Sequence, residues 1–268
     1  MKFGLWTTGR DEAAFALLKA IYNSTKDSTI KGCISYIFSN REKGEGILSD
    51  TIINWGKEIS IPVVSFSSSK YEPELKKIDF VEWRKRFHTE VRRLLSVFSE
   101  DIRVLVGYML ILDADSCRDK PAINLHPAKP GGPKGTWQEV IWDLIRNDSD
   151  DSGVMIHLVT SELDAGPSVS YCTYTIKRGS LDDLWKKHKL RLRVMQLSEI
   201  ISFKGEGYPL FSEIRKLGLK REFPLLIYTL KTLSEGDVRV GKGKVMDREG
   251  RLLKKGYDLT KEIDEAIR

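Results

Sequence analysis

Cysteine is scarce in this chain, and long apolar runs are missing. The 268 residues include three cysteines, Cys33, Cys117 and Cys172, without a CxxC pair, which argues against a disulfide scaffold or a zinc cluster. No run approaches the ~18 consecutive apolar residues of a membrane helix. The opening segment, Met1–Gly9, turns polar too early for the apolar core of a signal peptide. We therefore expect a cytoplasmic protein with no membrane partner.

A large excess of charge of one sign is also absent. Lysine and arginine together number 44, against 38 aspartate and glutamate residues, which gives a net charge of +6. The densest basic run, Trp185–Arg193, has apolar residues between its charges, as a solvated helix face does. We expect no nucleic-acid partner, although a modest positive field suits a small polyanionic ligand.

What the chain does contain is an alternation of apolar runs and amphipathic stretches. The apolar runs include Phe3–Trp6, Cys33–Phe38, Ile102–Gly107 and Ala122–His126. This alternation predicts an α/β protein with a doubly wound, mostly parallel, Rossmann-like sheet that has helices on both faces. Such sheets bind ligands beyond the carboxyl ends of their strands, so the segments that follow the strands are the candidate sites.

The second half of the chain is predicted to be more helical. We expect an α/β core over residues 1–180, a helical segment with an insertion over 181–222, and a C-terminal helix and hairpin over 223–268 that complete the core. Proline and glycine positions set the expected helix ends. The predicted elements are one long helix over Leu181–Ser202, helices over 210–217 and 224–233, and a hairpin that pairs 238–240 with 251–253.

The clearest local candidate for chemistry is the sequence Asn124-Leu125-His126-Pro127 at the end of a predicted strand. Residues two apart in a strand point to the same side, so the Asn124 amide and the His126 imidazole aim together. Such a pair suits a carbonyl that becomes an oxyanion, because both groups donate hydrogen bonds. A hydrogen-bonded strand end without catalytic function explains the same pair.

A second candidate is the acidic turn Thr160–Pro167, which follows a predicted strand and includes Asp164. Taken alone, acidic residues in a turn indicate only solvated side chains. In combination, the ordered segments are similar to the 10-formyltetrahydrofolate-dependent formyltransferases and, within that family, to the purine-synthesis branch that formylates phosphoribosylglycinamide. The segments that carry the resemblance are Val104–Leu112, Asn124–Pro127 and His157–Pro167, with Phe38–Asn40, Phe223–Leu225 and Gly256–Tyr257 in support.

The resemblance implies a catalytic trio of Asn124, His126 and Asp164. In the family, an amine acceptor attacks the formyl carbon of 10-formyltetrahydrofolate, and the amide and imidazole stabilise the oxyanion. Asp164 would favour the charged form of His126 and help to carry the proton from the amine to the folate nitrogen. The implied co-substrate is 10-formyltetrahydrofolate, and no metal is implied.

The resemblance also implies two binding regions. The folate would lie against Met109, Leu110, Ile111 and Leu112, whose backbone would pair with the pterin, with Asn124 and the helical Arg84 in addition. The amine acceptor would lie at Thr8, Gly9, Arg10 and Lys129.

The acceptor half departs from the family pattern. Thr8-Gly9 fit the start of the region where the family has a Gly-Ser-Asn stretch that holds a substrate phosphate, but the next positions here are Arg10-Asp11-Glu12-Ala13. The two carboxylates favour the helix dipole but repel phosphate, and Arg10 would offset that repulsion in part. A glutamate that contacts the acceptor is Leu219 here, the segment Ala128–Pro133 differs, and Arg191–Lys216 resembles an insertion. Phosphoribosylglycinamide, an amino sugar or another small amine therefore remain open as acceptors. A 10-formyltetrahydrofolate hydrolase and a non-catalytic folate-binding module are the alternatives to a transferase.

Overall fold

The computed structural model describes residues 1–268, apart from the side chain of Ser180. Its strands and helices alternate through most of the chain. The strands are β1 (Lys2–Thr7), β2 (Cys33–Ser39), β3 (Val63–Ser65), β4 (Ile102–Leu105), β5 (Ala122–His126), β6 (Asp151–Leu158), β7 (Ser168–Thr175), β8 (Val238–Gly241), β9 (Lys244–Asp247) and β10 (Tyr257–Asp258). The helices are α1 (Glu12–Lys26), α2 (Ile47–Glu58), α3 (Pro73–Ile78), α4 (Phe80–Leu95), α5 (Ala114–Asp119), α6 (Trp137–Arg146), α7 (Ser180–Arg191), α8 (Leu197–Lys204), α9 (Pro209–Glu235) and α10 (Thr260–Ala266).

An eight-stranded sheet forms the centre of the molecule, in the order β10-β7-β6-β5-β4-β1-β2-β3. Strands β1 to β5 pair in parallel, and β6 pairs antiparallel with both β5 and β7. The predicted doubly wound, mostly parallel α/β sheet is confirmed. No helix of the described residues is long and apolar enough to span a membrane.

Helices cover both faces of this sheet because the strands are apolar on both sides. Phe3 and Leu5 of β1 enter one buried cluster with residues of α1 and α9, whereas Trp6 enters a second with residues of α4. Successive strand residues point to opposite faces, so a continuous apolar run buries both. A third cluster, which includes Trp142 and Phe211, joins α6, α7, α8 and the start of α9.

Two of the helix predictions for the second half are wrong. The expected single helix over Leu181–Ser202 is two helices, because Gln196 and Glu199 form a capping box that begins α8. The two helices expected over 210–217 and 224–233 are instead the single helix α9, which contains Pro224. Proline removes one hydrogen bond from the helix interior, but buried leucines after it and Phe211 before it anchor both halves. The helix crosses the domain boundary expected at residue 222.

The predicted C-terminal hairpin has a different partner strand. Strand β8 pairs with β9 rather than with 251–253, and Leu252 contributes only one bridge, to Met246. The turn between them is Lys242-Gly243, with φ of +50° and +72°. A two-residue turn with both φ values positive matches the twist of a hairpin. Strand β8 therefore pairs across this short turn with β9 and not across the longer connection to residues 251–253.

Candidate active site

Two side chains of β5 share one face of the sheet with a histidine of the neighbouring strand. Asn124 and His126 are two residues apart in β5, so they point to the same side. His157 of β6 lies directly opposite Asn124, and cross-strand partners share a face. On the other side Leu105, the last residue of β4, pairs with Asn124. The sheet register therefore gathers three polar side chains beside the segment that follows β4.

The acidic turn after β6 folds back onto this face. Leu158 N–H donates to the carbonyl of Pro167 at 2.9 Å, which turns the chain back on itself. Gly166 approaches so closely that an added Cβ would lie 1.7 Å from the Leu158 carbonyl oxygen. Asp164 has φ +85°, a conformation that costs free energy in a residue other than glycine. The result is that the Asp164 carboxylate is buried, with its side chain 8% exposed.

The Asp164 carboxylate lies between two imidazoles. Its Oδ2 is 3.7 Å from Nδ1 of His126, and its Oδ1 is 3.6 Å from Nε2 of His157. Both separations are longer than a good hydrogen bond but short for an ionic interaction between buried groups. The structure thus brings Asp164 to His126, which shares a face with Asn124, although the acid is far from both in sequence.

One ring nitrogen of His126 has a hydrogen-bond partner. Nε2 donates a hydrogen bond to the carbonyl oxygen of Pro133, 3.0 Å away, and Nδ1 faces the Asp164 carboxylate. The half-buried amide of Asn124 makes no side-chain hydrogen bond within the described part of the chain. The amide is therefore available to a ligand.

His157 was not assigned a role from the sequence, although it lies in the segment that carries the resemblance. Its Nδ1 donates to the carbonyl of Leu158 at 3.0 Å, and the ring is 2% exposed. Burial lowers the pKa of His157, while the Leu158 carbonyl and the Asp164 carboxylate oppose that shift. The signal that could have found it is the strand register, since His157 is the cross-strand partner of Asn124.

The segment after β4 has backbone groups without partners. Among the described residues, the N–H and C=O groups of Leu110, Ile111 and Leu112 make no hydrogen bond. Met109 N–H, by contrast, donates to the hydroxyl of Thr8 at 2.9 Å. Backbone polar groups are almost always paired in folded proteins, so residues 110–112 offer an edge that a planar heterocycle with donors and acceptors can complete. These are three of the residues expected to contact the folate.

Arg84, the expected arginine of the folate site, borders a cavity near this edge. The cavity has a volume of about 430 Å³. The Nε atom of Arg84 is buried and has no hydrogen-bond partner in the described part of the chain. A carboxylate in this cavity would satisfy the guanidinium with a charge-assisted hydrogen bond. The lining residues are Val81, Arg84, Lys85, Asp113, Ala114, Asp115, Arg118 and Ser161.

The residues expected to hold the acceptor do not form one group. Thr8 is 5% exposed, and its hydroxyl already accepts from Met109. Gly9 has φ +59° and packs on Ser49, and the exposed Arg10 pairs with Asp11. Lys129 contacts β6 and pairs with Asp151, so strands β4 and β5 lie between it and β1.

The amino end of α1 is covered by its own carboxylates. Asp11 is the N-cap, and its Oδ1 accepts from Ala14 N–H at 3.0 Å. Glu12 adds a second negative charge in the first turn. Free N–H groups and the helix dipole make a helix start attractive to anions, but here an internal carboxylate takes one of those groups and repels a second anion.

Other nucleophiles and metal ligands are arranged differently. The three cysteines are free thiols. Burial raises the pKa of Cys117 to about 11 and that of Cys172 to about 12, so both thiols are protonated at neutral pH and poorly nucleophilic. No group of three or more His, Cys, Asp or Glu side chains that could hold a metal ion occurs among the described residues.

A solved structure with the same fold supports this architecture. The chain superposes on the phosphoribosylglycinamide formyltransferase of Coxiella burnetii with a TM-score of 0.64, over 96% of this chain and 98% of that one, at 17% identity. It also superposes on a formyltetrahydrofolate deformylase of Pseudomonas syringae with a TM-score of 0.57, over 92% of this chain and 65% of that one, at 20% identity. At such identities the likeness concerns the fold.

The amino-acid sequence supplies the closer relationship. It is 33% identical to the phosphoribosylglycinamide formyltransferase of Dictyostelium discoideum over 159 residues, which are 56% of this chain and 73% of that protein. Residues 12–187 match the family model described as formyl transferase. That match includes β5, β6 and the acidic turn. The chain therefore belongs to the formyl transferase family.

Proposed function

We propose that this formyltransferase moves the formyl group of 10-formyltetrahydrofolate to the primary amine of a small acceptor, with Asn124, His126 and Asp164 as its catalytic residues. The observation that carries the proposal is the buried Asp164 carboxylate beside His126, next to the open amide of Asn124. Three groups of complementary chemistry then face one carbonyl. The setting is cytoplasmic one-carbon metabolism and, with phosphoribosylglycinamide as the acceptor, purine biosynthesis.

In the proposed step, the neutral amine attacks the formyl carbon and forms a new C–N bond. The carbonyl electron pair moves to oxygen, where the Asn124 amide and the Nε2–H of His126 donate hydrogen bonds to the oxyanion. In this complex Nε2 of His126 donates to the formyl oxygen instead of to the Pro133 carbonyl. The bond to folate N10 then breaks, and the proton lost by the amine reaches N10 by way of Asp164. The products are a formamide and tetrahydrofolate.

The donor is bound along the segment after β4. The pterin pairs with the free backbone groups of residues 110–112, and Met109, which is 52% exposed, offers apolar surface to its ring. The glutamate tail of the folate lies in the cavity at Arg84, whose unpartnered Nε favours a carboxylate. Asn124 lies beside the start of the segment after β4, because it pairs with Leu105, the last residue of that strand.

The acceptor is a primary amine, and phosphoribosylglycinamide is the first to test, because the relatives described above are named for it. The exposed Arg10 is the cation nearest in sequence to Gly9 and could contact a phosphate. The carboxylates of Asp11 and Glu12 oppose a phosphate at the start of α1. An amino sugar without a phosphate is therefore the second acceptor to test.

The decisive experiment mixes the purified protein with 10-formyltetrahydrofolate and each amine in turn, and follows the appearance of tetrahydrofolate. We expect tetrahydrofolate and the formylated amine in equal amounts. Tetrahydrofolate and formate without any amine would indicate a hydrolase. No product with any amine, together with retained folate binding, would indicate a non-catalytic module. His126→Ala is the matched control for chemistry that does not depend on the proposed site.

A further inference from the structure

A buried histidine and tyrosine connect the two elements that face the proposed donor site. His88 of α4 is fully buried, and its Nε2 lies 3.1 Å from the hydroxyl of Tyr108. Its Nδ1 lies 2.9 Å from the carbonyl oxygen of Arg84, which can only accept. Nδ1 therefore carries the proton, and Nε2 accepts from the Tyr108 hydroxyl. Burial lowers the pKa of His88 to about 4, which keeps this neutral form at physiological pH.

The pair is one of three side-chain contacts that hold the ends of the donor segment, which we define as residues 108–113. At the start of the segment, Tyr108 is held by His88, and Met109 N–H is held by the Thr8 hydroxyl. At its end, Asp113 accepts two hydrogen bonds from Arg92 of α4, at 2.9 and 3.1 Å. Between these hydrogen-bonded ends, the backbone groups of residues 110–112 have no partner among the described residues. Side chains thus fix the ends of an irregular segment whose middle is left for a ligand.

We propose that His88 and Tyr108 are positioning residues for the folate donor, which set the place of the 110–112 edge relative to Arg84. This inference rests on the proposed function, because the ligand at that edge is the folate. His88 bonds to the carbonyl of Arg84 itself and to the residue that opens the donor segment. The His88 imidazole therefore fixes the distance between residues 110–112, which pair with the pterin, and Arg84, which binds the glutamate tail.

The chain contains a second buried histidine–tyrosine pair that serves as a control. Nδ1 of His188 lies 2.9 Å from the hydroxyl of Tyr208, and the two residues are 2% and 4% exposed. Tyr208 belongs to the cluster that joins α6, α7, α8 and the start of α9, and His188 of α7 contacts it there. Loss of either tyrosine hydroxyl leaves one buried histidine nitrogen without its hydrogen-bond partner, so the two losses have similar structural cost.

The experiment measures the dissociation constant of tetrahydrofolate by calorimetry, together with the melting temperature, for Tyr108→Phe and Tyr208→Phe. Both variants should melt at a lower temperature than the wild-type protein. Tyr108→Phe should bind tetrahydrofolate about fivefold more weakly, the worth of one ordinary hydrogen bond. Tyr208→Phe should bind it with wild-type affinity.

A double variant separates positioning from general stability. His88→Leu with Tyr108→Phe removes both polar partners, so it should regain part of the melting temperature lost by Tyr108→Phe. Its tetrahydrofolate affinity should stay low. The inference is overturned if affinity returns together with stability, or if Tyr208→Phe weakens binding as much as Tyr108→Phe does. If the wild-type protein itself binds no tetrahydrofolate, the proposed function fails first.

Discussion

The donor and acceptor sides of the site differ in how they treat their own polar groups. On the proposed donor side, we call the donor segment (residues 108–113) together with Arg84 the donor edge. The segment leaves three peptide units unpaired within the described chain, and Arg84 has a buried Nε without a partner. On the acceptor side, residues 8–12, which we call the acceptor edge, Thr8 donates and accepts internally and Asp11 caps α1. Buried polar groups without partners cost free energy, so the donor edge is suited to completion by a ligand, whereas the acceptor edge places carboxylates of its own where an anion would otherwise bind.

This difference explains why one substrate is easier to name than the other. A ligand is identified by the groups it must satisfy, and the donor edge offers backbone donors and acceptors, an exposed apolar residue and a guanidinium. The acceptor edge shows a carboxylate pair beside one exposed arginine. The donor edge fits a pterin with an acidic tail, and the acceptor edge sets only a preference for little negative charge.

The largest expected effect is at the proposed catalytic residues, which belong to neither edge. His126→Ala and Asp164→Ala should each lower the turnover number by at least about 100-fold, because an oxyanion donor or its charge partner is lost at the transition state. The dissociation constant of tetrahydrofolate should change little, since neither residue belongs to the donor edge. Steady-state kinetics and calorimetry on the same preparations check both values.

The same measurements test whether catalysis and donor binding are carried by separate parts of the site. If either substitution weakened tetrahydrofolate binding as strongly as it slowed turnover, catalysis and donor binding would not be separate functions. Unchanged turnover in either variant would remove that residue from the mechanism. Glu162→Ala, which removes an exposed acid from the same turn as Asp164, is the matched control and should keep wild-type turnover.

The second effect concerns the donor edge alone. Arg84→Met should raise the dissociation constant of tetrahydrofolate about tenfold, because a charge-assisted hydrogen bond to the glutamate tail is lost. Arg86→Met removes an exposed charge of the same helix that does not line the cavity, so it should have little effect. A comparison of tetrahydrofolate with a pterin that lacks the glutamate tail sharpens the result: the Arg84 variant should no longer distinguish them. Equal losses for Arg84→Met and Arg86→Met would contradict the assignment.

The third effect concerns the acceptor edge. Asp11→Gly combined with Glu12→Ser removes two carboxylates from the start of α1 and frees one helix N–H group, so a phosphorylated amine should bind about threefold more tightly. The N-cap change from aspartate to glycine costs little stability. Calorimetry with phosphoribosylglycinamide checks the prediction, and Glu262→Ser with Glu265→Gly, on α10, is the control for net charge. Weaker binding by the α1 variant would refute the view that these carboxylates oppose phosphate.

The sequence predicted the sheet well because its signal is local. Apolar runs such as Phe3–Trp6 bury both faces of a parallel strand, and their alternation with helices is visible without any contact information. The helix predictions over 181–233 failed where a tertiary contact decides: the burial of α9 on both sides outweighs the cost of Pro224. The hairpin prediction failed because Lys242-Gly243 forms a two-residue turn, which pairs β8 with the strand that follows it directly.

The site was only partly predictable for a related reason. The spacing of Asn124 and His126 gives their shared direction, since strand geometry fixes it. The resemblance supplied Asp164, but its place beside His126 depends on the fold of the turn around Gly166, which no periodicity shows. His157 enters through a cross-strand register, and the His88–Tyr108 bond joins a helix to a loop. Strand register and contacts between a helix and a loop depend on the tertiary structure, so the sequence pattern alone does not show them.

The smallest expected effect links the donor edge to pH. Burial lowers the pKa of His88 to about 4, whereas an unfolded histidine titrates near its ordinary value of about 6.5. The unfolded chain therefore binds more protons below that value, and the free energy of unfolding falls as the pH falls. Between pH 7 and pH 6 this one residue should contribute a loss of about 0.7 kcal/mol. Denaturant unfolding at both pH values should show a smaller loss in His88→Leu, whereas Tyr108→Phe, which keeps the imidazole, should retain the wild-type dependence. An identical loss in all three proteins would mean that His88 charges as readily in the folded chain as in the unfolded one, and the neutral acceptor assigned to its Nε2 would then be wrong.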